Sequence, residues 1–326
     1  MTGLARLSPE ELVRVSERPD ADTLGQAARI VAAVADEGEP ALLRLRAEHD
    51  GIAADAPLVV RCEGMAVEVE PEVVALLERT RDRIASFARA QRECLLPLDV
   101  AIEGGRAGHR VLPIARVGCY APGGRYPLPS SVLMTVVTTR VAGVREVWLA
   151  TPKPSPLMLA AAKIAGADAV VVAGGAQAIA ALAYGTASIP AVDLIAGPGN
   201  RWVTAAKQLV VGRVGIDMLA GPSELVVIAD EESDPERVAL ALLAQAEHDV
   251  DARVTLLASS EVVADAVDAA LASALVDLPT REVAAASIAR GHACVADRDT
   301  IIRLANRLAP EHLELAVAAP ESWIES

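Results

Sequence analysis

The sequence predicts an α/β protein built on parallel, doubly wound sheets, and three observations carry that reading. From residue 114 onward, short apolar runs alternate with helix-length stretches, as expected when each strand is followed by a crossover helix. Apolar residues make up 52 % of the chain and aromatic ones only 2 %, so the core is built from Ala, Val, Leu and Ile, which suits parallel strands covered by Ala-rich helices. The loops expected after strands carry the glycines: Ala121-Pro-Gly-Gly124, Ala173-Gly-Gly175, Ala196-Gly-Pro-Gly-Asn200 and Ala220-Gly-Pro-Ser-Glu224.

Taken in order, residues 24–34 and 41–49 place apolar side chains at helical spacing, interrupted by Gly38 and Pro40 and ended by Gly51. Strand signals follow at 59–62 and 65–69. A long amphipathic helix is then expected at 71–93, opened by Pro71 at a first-turn position that has no use for its missing N–H. Beyond it, strands are expected at 147–150, 169–173, 194–196, 225–229, 254–258 and 293–296. Helices are expected at 130–141, 156–165, 176–183, 202–211, 235–247 and 262–275.

At 326 residues the chain has material for roughly two domains. Its formal charge, 30 − 44 = −14, argues against a nucleic-acid surface or an anionic membrane face and for small-molecule partners. No run of 18 apolar residues occurs, and Met1-Thr-Gly-Leu-Ala-Arg6 lacks the apolar core of a secretory signal. A cytoplasmic protein is expected. Cys62, Cys94, Cys119 and Cys294 show no C-x-x-C spacing, which removes thiolate zinc sites and redox pairs. A metal would have to be held by His, carboxylate or amide groups.

The apolar helix Val238-Ala-Leu-Ala-Leu-Leu-Ala244 ends in Gln245-Ala-Glu-His248. Gln245 and His248 are three apart, so on a helix they share a face and could converge on one ion or substrate group. The same residues also suit a plain helix end, since the macrodipole favours His there and Gln is a good helix former. The glycine turns sit where open α/β sheets bind ligands, outside the carboxyl ends of strands, although Gly and Pro also simply end strands. None of them spells G-x-G-x-x-G, so spacing alone does not name a dinucleotide.

Read together, Val117-Gly-Cys-Tyr-Ala-Pro-Gly-Gly124, Gly174-Gly-Ala-Gln-Ala-Ile-Ala-Ala-Leu-Ala183, Gly197-Pro-Gly-Asn200, Asp217-Met-Leu-Ala-Gly-Pro-Ser-Glu224, Gln245-Ala-Glu-His248 and Ala309-Pro-Glu-His-Leu313 resemble the histidinol dehydrogenase family. The resemblance spans essentially the whole chain. It implies two Rossmann-like doubly wound domains, the second inserted in the first, with a helical N-terminal element. The expected boundaries are 1–22 for that element, 23–119 plus 223–326 for the first, catalytic domain, and 120–222 for the inserted one.

The resemblance also implies NAD-dependent, zinc-dependent oxidation of L-histidinol to L-histidine through the aldehyde, by a homodimer. Carried over by motif, Tyr120, Gln177 and Asn200 contact NAD; Ser223, Gln245, His248 and His312 contact the substrate; Gln245 and His248 also ligate zinc; Glu311 and His312 form the catalytic pair. Such roles are chemically apt: imidazole is a proton acceptor near neutral pH, and a carboxylate can activate water for the aldehyde step. Zinc would chiefly orient the substrate. Glu311 and His312 otherwise read as residues following a helix at 301–308 that Pro310 stops.

Family members continue well past the segment that resembles Pro320-Glu-Ser-Trp-Ile324, and that continuation supplies a further zinc-binding aspartate and histidine. The expectation is therefore a chain with a weak zinc site and little dehydrogenase activity of its own, whether truncated, split or naturally short. Two other readings stay open at this level: a dehydrogenase of another amino alcohol or polar diol, and a non-catalytic nucleotide-binding homologue.

Overall fold

The computed structural model describes residues 3–16, 21–53, 55–66, 68–123, 127–219 and 224–324. Two compact units are present: Ala21–Leu219 is continuous, and Met1–Asp20 joins Ala220–Ser326 in the other. Each holds a sheet covered on both faces. The chain opens with strand β1 (Ala5–Arg6) and helix α1 (Pro9–Ser16), which belong to the discontinuous unit.

The continuous unit runs α2 (Ala21–Glu37), α3 (Glu39–Asp50), β2 (Val59–Arg61), α4 (Pro71–Glu93), β3 (Leu98–Ile102), β4 (Gly105–His109), β5 (Arg116–Tyr120), α5 (Pro129–Val141), β6 (Glu146–Ala150), α6 (Pro156–Ala165), β7 (Ala169–Val171), α7 (Gly175–Tyr184), β8 (Leu194–Ala196), α8 (Arg201–Val210) and β9 (Gly215–Ile216). Its sheet has the order β2-β7-β6-β5-β8-β9. All neighbours are parallel except β2, which pairs antiparallel with β7. One face is filled by Val31, Leu42, Ile179, Leu182 and Val203 from α2, α3, α7 and α8; the other by Leu77, Val132, Leu133, Val136 and Met158 from α4, α5 and α6. Local signals fit: Ser155 caps α6 by accepting from the Met158 N–H with Pro156 behind it, and Gly166 ends the helix in a left-handed turn.

The other unit continues with β10 (Glu224–Ala229), α9 (Pro235–Ala246), β11 (Arg253–Ala258), α10 (Glu261–Ala274), α11 (Arg281–Ile288), β12 (His292–Val295), α12 (Arg298–Leu308), β13 (His312–Ala316) and α13 (Pro320–Ile324). Its sheet, β1-β12-β11-β10-β13, is parallel throughout. Strand β10 shows why the apolar runs are continuous: Leu225, Val227 and Ala229 face one core with α9 and α10, while Val226 and Ile228 face the other with α1 and α12. Arg6 pins β1 to α10 through Glu261, Asp265 and Asp268 at 3.5, 3.0 and 2.9 Å.

The α/β expectation and the order of the main strands and helices agree with the structure. The domain partition differs. The expectation sets residues 23–119 beside 223–326, yet α2 packs on α7 and α8, α4 on α5, and β5 is the centre of the 21–219 sheet. Among the described residues of 65–69 no strand forms; Met65 instead closes a turn on the Cys62 carbonyl. The hairpin β3–β4 has no counterpart in the sequence pattern, because it has no buried face to impose alternation: every residue in it is exposed, Leu98, Val100 and Ile102 included. Among the described residues no helix is long and apolar enough to cross a membrane.

Three buried acids tie the fold of the continuous unit to alkaline pH. Burial pushes the Cys62 and Cys119 thiols up to about 11 and the Tyr120 phenol up to about 12. Unfolded, the thiols ionise near 9.0 and the phenol near 10.0, so between these values the unfolded chain binds fewer protons and stability falls as pH rises. Stability is thus expected to be undiminished by these groups below pH 9 and to decline from there toward 12. Denaturant titrations across that range should show a shallower decline for Cys119→Ala, by roughly 1.4 kcal/mol per pH unit for one titrating group; an identical slope in variant and wild type would refute it.

Candidate active site

In the continuous unit, β5 is followed on one side by β6 and β7 and on the other by β8 and β9, so the strand order reverses between β5 and β8. A reversal of this kind leaves a crevice outside the carboxyl ends of the two strands. Tyr120 ends β5 and Gly197-Pro-Gly-Asn200 follows β8, which places two of the three expected nucleotide contacts at that point.

The turn after β8 is held tightly. Gly197 has φ +128°, and a Cβ there would lie 2.1 Å from the Tyr120 carbonyl oxygen. Its N–H donates to Asp217 Oδ2 at 2.8 Å, and its carbonyl accepts from Lys207 Nζ at 2.9 Å. Lys207, 2 % exposed, pairs with Asp217. Asn200 then caps α8, its Oδ1 accepting from the Trp202 and Val203 N–H groups at 3.1 and 3.2 Å, which leaves its Nδ2 donors as the groups a ligand could use.

Gln177, the third expected contact, lies in the first turn of α7 and is buried. The start of that helix is committed to the chain's own groups: the Gly174 N–H donates to Asp50 Oδ2 at 2.9 Å and the Gly175 N–H to the Tyr120 hydroxyl at 3.1 Å. This arrangement does not need the usual glycine fingerprint, since α7 offers no open N-terminus for a pyrophosphate. Close approach instead occurs at Gly123 and Gly174, where a Cβ would meet Pro152 at 2.5 and 2.8 Å. Tyr120 ends β5, Asn200 caps α8 and Gln177 lies in the first turn of α7.

The remaining residues gather at the opposite kind of edge in the discontinuous unit. Glu224 begins β10 and His312 begins β13, with Leu225 opposite His312 in register. The Glu311 N–H donates to Glu224 Oε1 at 3.3 Å, and His312 Nδ1 lies 3.2 Å from the Glu224 carbonyl oxygen. A carbonyl only accepts, so Nδ1 carries the proton and in the neutral ring Nε2 is the acceptor. Glu311 Oε2 is 3.8 Å from Nδ1. The imidazole is more than half exposed and the carboxylate about a third. Ala309, at φ 43°, ends α12 in a left-handed turn that leads into this pair.

Gln245 lies in the last turn of α9 and His248 just after it, at the same amino edge of the sheet. They do not share a helical face as expected. The helix ends at Ala246, because the Glu247 N–H reaches both Leu243 and Gln245 carbonyls and the His248 N–H turns back to Gln245 at 3.3 Å. His248 is exposed, while Gln245 is buried and its Nε2 has no partner. These two donors do not by themselves fit a zinc ion: among the described residues no three His, Cys, Asp or Glu side chains form a metal-holding group, and a catalytic zinc takes about three strong protein ligands. Ser223 lies outside the described residues.

The turns at 121–123, 174–175 and 197–199 follow strands, whereas residues 220–223, which lie outside the described residues, precede β10. Glu224, Asp50, Lys207 and Asp217 are the groups that sequence reasoning missed. Glu224 and Asp217 bound a quoted motif, but nothing in their spacing indicated that they hold the Glu311 backbone and a glycine turn.

The sequence profile described as histidinol dehydrogenase matches residues 14–326. A histidinol dehydrogenase from Thermus thermophilus is 45 % identical over 299 residues, covering 91 % of this chain and 72 % of its own length. One from Moorella thermoacetica is 46 % identical over 314 residues, covering 92 % and 74 %. The crystal structure of histidinol dehydrogenase from Elizabethkingia anophelis superposes with a TM-score of 0.86 at 31 % identity, over 99 % of this chain and 78 % of that one.

Proposed function

This chain belongs to the histidinol dehydrogenase family, and from that premise we propose that it oxidises L-histidinol to L-histidine with NAD, His312 acting as the base and Glu311 as the group that activates water. The observation that carries the proposal is the bond from His312 Nδ1 to the Glu224 carbonyl. It fixes the ring and its tautomer, and so leaves Nε2 available to take a proton.

Oxidising the alcohol removes the hydroxyl proton and a hydride from the same CH–OH unit; Nε2 receives the proton. The aldehyde then adds water, whose proton Glu311 accepts, and the hydrate loses a second hydride to give the acid. Bound NAD supplies the hydride acceptor, so two NAD are reduced and one water is consumed for each histidinol. Tyr120, Gln177 and Asn200 are the groups proposed to hold it.

Gln245 and His248 are proposed to meet the substrate. As zinc donors they are weak, and zinc added to this chain is expected to be lost on dialysis. The partner proposed is a second copy of the chain, for which the uncovered apolar hairpin β3–β4 offers surface; the compartment proposed is the cytoplasm. The test is histidinol-dependent NADH formation with metal content measured on the same sample. NADH formed at two per histidinol supports the reading. No NADH from saturating NAD and histidinol with excess zinc kept in the assay, in a sample shown to be folded, would refute it, and stoichiometric zinc after dialysis would refute the weak-site claim.

A further inference from the structure

A primary amide has nearly the same outline with its oxygen and nitrogen exchanged, so what Gln177 offers a ligand depends on what holds its other end. That group is Asp50, the last residue of α3. Its Oδ2 lies 2.9 Å from the Gly174 nitrogen and 3.2 Å from Gln177 Nε2. A carboxylate only accepts, so the amide nitrogen must face it. Turning the amide over would set two oxygens against each other.

With Nε2 committed, Oε1 is the free end. It lies over Gly175, where φ is +59° and a Cβ would come within 2.9 Å of it. Among the described residues no donor meets Oε1, although Gln177 is only 1 % exposed. Asp50 is itself backed by a buried cation one helical turn earlier. Arg46 is fully buried, its guanidinium held by the Ala53, Ala56 and Pro57 carbonyls at 3.2, 3.0 and 3.1 Å, and the charge of Asp50 opposes the effect of that burial.

We propose that Asp50 is a positioning residue that sets the hydrogen-bonding polarity of Gln177, so that the amide presents an acceptor and selects a donor on the nucleotide, a ribose hydroxyl or a carboxamide NH2. The inference rests on the reading that Gln177 meets NAD. It makes Asp50 a determinant of cofactor affinity without contact to the cofactor.

The experiment is calorimetric titration of NAD into wild type, Gln177→Ala, Asp50→Ala, Asp50→Asn and Gln177→Glu, each with its melting temperature. Asp50→Ala removes the acceptor that both the Gly174 and Gln177 N–H groups use, frees the amide to turn, and should weaken NAD by about threefold or more. Asp50→Asn keeps one oxygen able to accept both bonds, and its affinity should stay closer to wild type than that of Asp50→Ala, a rescue that simple loss of structure would not produce. Gln177→Glu sets two carboxylates together and should weaken NAD increasingly as pH rises. Wild-type affinity in Asp50→Ala, or an Asp50→Asn no better than Asp50→Ala, overturns the inference. If Asp50→Ala does not fold, a pH-independent NAD affinity in Gln177→Glu overturns it instead. Failure of the parent reading is separate: Gln177→Ala would then bind NAD as wild type does, or wild type would not bind it, and the inference would fall with it.

Discussion

Replacing His312 with asparagine is expected to lower kcat for histidinol oxidation by about 10²–10⁴-fold, the range that a lost general base commands. Asparagine keeps the part of the interaction that is structural, because its NH2 can still donate to the Glu224 carbonyl that His312 Nδ1 meets at 3.2 Å. What it removes is a second ring nitrogen able to take a proton. The fold should be untouched, since the side chain is exposed at the start of an edge strand. Glu311→Gln should behave differently, slowing turnover of the aldehyde more than that of the alcohol, because its proposed proton comes from water. Measuring kcat for both substrates separates the two roles. An asparagine variant that changes only KM would mean that His312 binds substrate and that the base lies elsewhere.

Gly197→Ala should be the most damaging small substitution in the continuous unit. Two independent penalties fall on one methyl group: φ of +128° is a glycine region, and the added carbon would lie 2.1 Å from the Tyr120 carbonyl oxygen. That oxygen belongs to the backbone of the central strand and cannot swing aside, so β5 and β8 have to separate. A loss of about 3 kcal/mol or more is expected, which for a unit of this size lowers Tm by about 6–12 °C. NAD binding should be lost as well, because Tyr120 and Asn200 are carried on the two strands that move. Gly212 is the control: φ is +92° but a Cβ there meets nothing within 4 Å, so Gly212→Ala should cost only the backbone term, about 1–2 kcal/mol. Equal losses at the two positions would show that the close approach to Tyr120 is unimportant.

What could be read from the sequence follows the physics of burial. Strands buried on both faces, such as β6, β10 and β11, announce themselves as unbroken apolar runs, and helices such as α5, α6 and α10 by their length and spacing. The elements missed are those without that signature. Strand β13 is an edge strand with an exposed start, and β1 has only two residues, held by pairing with β12 and by Arg6. The partition failed because a resemblance of motifs says nothing about which sheet α2 and α4 cover. At the candidate site, the residues named from the sequence are those with recognisable chemistry, whereas Asp50, Lys207, Asp217 and Glu224 act by holding a backbone group or an amide in place. Such work depends on contacts 10 to 127 residues apart in the chain, which no local pattern encodes.

Strand β1 has a consequence for how the protein is made. Among the described residues it pairs with β12, so a segment synthesised before the continuous unit belongs to a sheet whose other strands begin at Glu224 and end at Ala316. The continuous unit, by contrast, has every strand in hand once Leu219 is synthesised. At translation rates of about 5–20 residues per second, it therefore has roughly 5–20 s to fold before β13 exists. Throughout that interval β1 and the apolar face of α1, Leu12 and Val13 included, wait without their partners. Unit order in the chain and unit order in time are thus reversed: the segment that precedes the continuous unit is seated after it, and it is this segment that chaperones would be expected to meet.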